Sequence, residues 1–131
     1  MGAIMELITW YDKYSVNNEE FDSDHKMFFD LINRLYKNCT IKPIATYLAN
    51  KLVCESFRHI AKEEQYMESI GFKEIHEHLY ENKIFIQKVL QLQQAVNEND
   101  TEHTIELIAY LAYWLLHHIM EDDKKLAVGC E

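Results

Sequence analysis

One proline and three glycines in 131 residues leave this chain almost nowhere to interrupt a helix. In a helix interior glycine and proline are unfavourable by about 1 and 3 kcal/mol relative to alanine, so their scarcity favours long uninterrupted segments. Between the few breaks, apolar residues recur at three- and four-residue steps, the period of a helix with one buried face. The first stripe is His25, Phe28, Ile32 and Leu35, on a helix expected to start near Phe21–Asp24 with Asp22 or Ser23 as N-cap, and to end around Lys37–Asn38. Pro43 suits the first turn of a second helix, where its missing N–H is not needed. Ala45, Leu48, Leu52, Ser56, His59, Glu63, Tyr66 or Met67, and Ile70 share one face of it, and Gly71 is its natural terminator. A third helix from about Lys73 carries Ile75, His78, Asn82, Phe85, Val89, Leu92 and Val96. After the polar break 97–100, a fourth carries Ile105, Ile108, Leu111, Leu115, His118 and Ile119 and frays near Ala127–Gly129. Short links between long helices predict an all-α, up-down-up-down four-helix bundle over 21–128, within one domain of residues 1–131. Residues 1–20, with Trp10, Tyr11, Tyr14 and Val16, are expected to form an ordered arm laid over the bundle.

Composition removes several function classes. A formal net charge of −9 disfavours nucleic acid and anionic membrane surfaces, both of which need a basic footprint. No stretch approaches the roughly eighteen consecutive apolar residues of a membrane span. The N-terminal residues lack the basic and apolar regions of a secretion signal, and three cysteines without a Cys-x-x-Cys pair suit reduced thiols. A cytoplasmic monomer is the expectation. Cys54 reads as a small buried hydrophobe, His117 as an interface or surface residue, and His76 and His103 as solvated; Cys39 and Cys130 lie near helix or chain ends.

Each helix also places a polar residue inside its apolar stripe: His25; His59 with Glu63; His78 with Asn82; His118 with Asp122 or Asp123. His59 and Glu63 are four residues apart, about 40° round a helix, and so point the same way. One such histidine is usually a satisfied core residue. Four helices each supplying an imidazole, two of them with a carboxylate near, point to bound cations, because lone buried charges are costly. Histidine and carboxylate without cysteine suit iron, manganese or zinc, and two bridging carboxylates would suit a two-metal centre.

Glu-x-x-His pairs, which ferritin-like di-iron bundles use, are absent. The chain instead resembles the hemerythrin family over almost its whole length. Trp10, Tyr14-Ser-Val16 and Glu20-x-Asp22-x-x-His25-Lys26 look like the family's entry segment. His59-Ile-Ala-Lys-Glu63-Glu-Gln-Tyr-Met67 fits its His-x-x-x-Glu-Glu-x-x-Met block, and Trp114-Leu-Leu-His-His118-Ile-Met-Glu-Asp-Asp123-Lys fits its last block. One block departs. Where the family carries His-x-x-x-His-x-x-Phe, this chain reads His78-Leu-Tyr-Glu-Asn82-Lys-Ile-Phe85. Asn82 therefore binds weakly, holds a water ligand, or leaves one iron short. Strict helical spacing prefers Asp122 beside His118, whereas the family frame chooses Asp123; a loosened turn or π-bulge near the helix end would reconcile them.

The resemblance implies a non-haem di-iron centre with an oxo or hydroxo bridge, in which Glu63 and Asp123 span both irons. It implies His25 and His59 on one iron, which keeps a vacant position for dioxygen, and His78 and His118 on the other, with Asn82 where the family has a third histidine. Dioxygen would bind reversibly as hydroperoxide, in an apolar pocket matching Phe28, Ile60, Trp114, Leu115 and Ile119. The Asn82 change is expected to leave the centre able to assemble, with weaker affinity at its metal and faster autoxidation. Carriage, storage or delivery of dioxygen to an oxygen-using enzyme is the leading function. The alternatives are a sensor whose oxidation state alters a surface read by a signalling partner, and a di-iron enzyme handling peroxide or nitric oxide.

Overall fold

The structure, a computed structural model, describes residues 6–123; the side chains of Asp122 and Asp123 lie outside the described residues, as do the fraying at Ala127–Gly129 and Cys130. Four helices follow a short 3-10 turn at Asp12–Tyr14: α1 (Glu19–Lys37), α2 (Lys42–Ile70), α3 (Ile75–Asn97) and α4 (Thr101–His118). Ile119–Asp123 continue α4 as a π-helical turn. No strand occurs among the described residues. Each helix packs against its chain neighbours and α4 returns to α1, closing a four-helix bundle. Links of three or four residues leave no room for a crossover, which makes successive helices antiparallel.

The helix ends follow from local chemistry. Asn18, rather than Asp22 or Ser23, caps α1 by accepting the Phe21 N–H at 3.1 Å. Asp22 is engaged elsewhere: it accepts the Ser15 hydroxyl at 2.6 Å and the Val16 N–H at 2.8 Å, tying the arm to the first turn of α1. Asn33 anchors the arm further out, exchanging two hydrogen bonds with the backbone of Ile8. Trp10 packs edge-on against Phe29 beneath the Lys26 ammonium. The third helix begins at Ile75, two residues later than its sequence pattern suggests. Asp100 caps α4 through the His103 N–H at 3.1 Å. Lys42, at the start of α2, donates to the carbonyls of Val96 and Asn97 and satisfies the end of α3.

At the end of α2, Gly71 has φ +61°, with Phe72 N–H bonded to the Met67 carbonyl and Gly71 N–H to that of Glu68. This is a Schellman ending, which needs a left-handed residue at that position. An added Cβ would meet nothing within 4 Å, so the penalty is the backbone's alone. Gly71→Ala is expected to lower stability by about 1 kcal/mol, read as a shift in the urea midpoint with unchanged slope.

Two predicted faces need correcting. Ile105 is 39 % exposed, and Thr104 and Leu107 are buried instead, so the inward face of α4 is displaced by a residue at its start. Cys54 is exposed. It lies two residues from both Leu52 and Ser56, which are inside, and so about 200° round the helix from each. A mainly apolar core, with Leu35, Leu48, Leu52, Leu92, Ile108 and Leu111 all at 1 % exposure or less, fills one end of the bundle. Burying a side chain of that size contributes roughly 1.5–3 kcal/mol. The other end is built differently.

Candidate metal centre

In an antiparallel bundle, the start of α1, the end of α2, the start of α3 and the end of α4 meet in one layer. His25, His59 with Glu63, His78 with Asn82, and His118 occupy those four places. None is more than 5 % exposed. Their donor atoms fall into two groups, His25–His59–Glu63 and Glu63–His78–His118, with the atoms of each within 4.8 Å of one another. Glu63 belongs to both, and it divides itself between them. Its Oε2 lies 3.2 Å from His59 Nε2, while Oε1 faces His78 Nε2, with His118 Nε2 at 4.0 Å and the Asn82 amide nitrogen at 3.3 Å. The imidazole rings of His25 and His59 sit 5.3 Å apart, and those of His78 and His118 5.0 Å apart.

The donor set fits a pair of cations. For metal–ligand distances of about 2.0–2.2 Å, two neighbouring ligands of one ion sit roughly 3 Å apart, close to the His59–Glu63 separation. A carboxylate presenting one oxygen to each of two imidazole pairs has the form of a bridging ligand. Nitrogen and oxygen donors without sulfur suit the first-row divalent metals.

Neighbouring side chains fix the rings. His59 Nδ1 pairs with Asp24 Oδ2 at 2.8 Å, which orients Nε2 toward Glu63. Asp24 in turn accepts from Lys62 at 2.6 Å and Arg58 at 2.8 Å. Burial alone would raise the Asp24 carboxyl; the hydrogen bonds from His59, Lys62 and Arg58 outweigh it and hold the group far below the usual carboxylate range. Asp24 was not singled out in the sequence, because it sits about 100° off the His25 stripe. The available signal was on α2, where Arg58 and Lys62, four residues apart, flank His59. Asp24→Asn is expected to weaken metal binding at the His25–His59 pocket by roughly 10–100-fold while sparing the other, as measured by titration against a competing chelator.

On the opposite side, His118 stacks on Trp114 at 4.6 Å, and Trp114 on Phe85 at 4.7 Å, forming an aromatic column that sets the His118 ring. Of the residues matched to a gas pocket, Phe28 meets His59 edge-on at 5.4 Å, and Leu115 and Ile119 are buried, as is Ile60. Trp114, partly exposed, belongs to the column. Ile60 also lines, with Asn82, a groove of about 460 Å³ between α2 and α3. His117 is exposed and stacked on Tyr113, and His76 and His103 are exposed. Glu64 lies half-buried on the groove wall; burial pushes its carboxyl up, as do Glu63 and Glu68.

The π-helical turn at Ile119–Asp123 bears on the competing acids. It is the loosened winding near the helix end that the sequence pattern calls for. The side chains of Asp122 and Asp123 themselves lie outside the described residues.

Comparison with known proteins identifies the family and the fold. Residues 16–128 match the family model described as the Hemerythrin HHE cation binding domain. A bacteriohemerythrin of Clostridium acetobutylicum is 22 % identical over 135 residues, covering 91 % of this chain and 98 % of its own. One from Stenotrophomonas maltophilia is 26 % identical over 125 residues, covering 94 % and 81 %. A hemerythrin-like protein of Naegleria fowleri is 28 % identical over 116 residues, covering 88 % and 87 %. A crystal structure of a hemerythrin mutant superposes with a TM-score of 0.86 at 22 % identity over 95 % of this chain and 98 % of that one, which establishes the shared bundle. With the family model spanning nearly all of the bundle, this chain belongs to the hemerythrin HHE cation-binding family.

Proposed function

We propose that this chain is a non-haem di-iron protein that binds dioxygen reversibly, and that it stores dioxygen or delivers it to an oxygen-using enzyme as a cytoplasmic monomer. The observation that carries the reading is Glu63, whose two oxygens address separate pairs of imidazoles in a fully buried layer. In this assignment His25 and His59 hold one iron and His78 and His118 the other, with Glu63 shared, and Asp123 is assigned as the second shared carboxylate. Bound, the iron pair supplies the electrons that reversible dioxygen binding draws on.

The protein's own residues hold and protect that pair. Asp24 keeps the proton of His59 on Nδ1, so that Nε2 presents a lone pair inward. Phe28, Leu115 and Ile119 exclude bulk water from the layer, which disfavours loss of charged species and side reactions. No helix among the described residues is long and apolar enough to cross a membrane. The test is elemental analysis of the purified protein, with absorption spectra recorded under nitrogen, in air, and under nitrogen again. Two irons per chain and a spectrum that returns on deoxygenation are expected. Two irons with an irreversible change would overturn reversible binding, and absence of iron after anaerobic reconstitution would overturn the centre itself.

A further inference from the structure

We propose that the metal position held by His78 and His118 keeps an exchangeable coordination site beside Asn82, reached from solvent through the groove between α2 and α3, and that this site accepts a small neutral nitrogen donor of the imidazole class. The inference rests on the di-metal reading above but concerns a feature particular to this sequence. Asn82 is 1 % exposed and sits against Glu63 Oε1 through its amide nitrogen at 3.3 Å. Its Oδ1 is buried with no hydrogen-bond partner among the described residues. A neutral amide is a poor donor to a divalent transition metal, and it is shorter than an imidazole, so it neither saturates this position nor fills it.

The groove supplies a route. Its outer residues, Phe57, Lys83 and Gln87, are exposed, and it runs inward to Ile60 and Asn82, both buried. At about 460 Å³ it is many times the roughly 30 Å³ share of one water. Phe57, Ile60, Leu79 and Ile86 give it apolar sides, while its charged members, Lys83 and Glu64, are opposite in sign and do not select for an anion. A flat, neutral ring suits such walls, and its lone pair replaces the one a histidine side chain would have brought. The bound donor completes the coordination without oxidising or reducing the metal.

The full-length protein is loaded anaerobically with cobalt(II), counted by elemental analysis, and titrated with imidazole while its visible d–d absorption is followed. Two cobalt ions per chain are expected first; fewer would count against the di-metal reading, before any imidazole is added. The wild-type protein should then take up one more equivalent of imidazole than the Asn82→His protein, whose own ring occupies the position. Equal uptake by the two would overturn the proposal. Ala61→Trp, which obstructs the groove from an exposed helical position, should slow the additional binding step at least tenfold without changing the cobalt count. An unchanged rate would refute the route, and circular dichroism on both variants confirms that the helices are retained.

Discussion

Glu63→Ala is expected to empty both metal positions with a single substitution. Removing any one histidine deletes a donor from one pocket, because His25 and His59 group on one side of Glu63, and His78 and His118 on the other. Glu63 alone has an oxygen in each group. Its loss also removes the only buried anion among the grouped residues whose side chains are described. Two cations in an apolar bundle then lack the charge that offsets their desolvation. Replacing a residue that merely orients a ligand typically weakens binding about 10–100-fold, so loss of the shared ligand should exceed a hundredfold at each site. Reconstitution, desalting and elemental analysis should yield less than one metal per chain, against about one for His25→Ala or His118→Ala. Retention of one tightly held metal by the Glu63→Ala protein would show that Glu63 serves a single pocket and that the bridge is misassigned.

The amphipathic periods and the scarcity of breakers made the bundle legible, since burial in α-helices follows a fixed angular step. His25, His59, Glu63, His78 and His118 were legible for the same reason: polarity inside an apolar stripe stands out. What the sequence concealed was lateral. Asp24 reaches His59 from the flank of another helix, and Phe85 reaches His118 only through Trp114. Such contacts depend on how two helices are rotated against each other, which no single stripe encodes. Cap competition explains the displaced start of α1, because Asp22 and Asn18 are both good caps and only the folded arm claims Asp22. Ile105 was misplaced because it and Thr104 both lie about one turn before Ile108, and the roughly 100° between them decides which of the two is buried.

Stripping the metals should destabilise the protein more than any substitution outside the centre, and should do so at one end of the bundle. A ligand that binds only the folded state stabilises it by about 4.1 kcal/mol when present at a thousand times its Kd, so two such sites contribute on the order of 8 kcal/mol. For a chain of 131 residues, unfolding-entropy averages convert that to a fall in Tm of roughly 20–30 °C. The loss is local because of where the apolar area lies. Leu35, Leu48, Leu52, Leu92, Ile108 and Leu111 pack at the far end and need no cation, whereas the near end has two buried carboxylates (Glu63 and Asp24), four imidazoles and an amide in its interior. Without metals that layer retains hydrogen bonds such as His59–Asp24 but loses the charge that makes its desolvation tolerable. Hydrogen exchange in the chelated protein should therefore accelerate around Phe21–Phe28, His59–Met67 and His78–Asn82, while Leu48–Leu52 and Leu92–Val96 stay protected until global unfolding. Uniform loss of protection along all four helices would mean the two ends fold as one unit. A Tm that moves by less than about 5 °C on chelation would mean that the polar layer sustains itself through its own hydrogen bonds, and that cations are not what stabilises it.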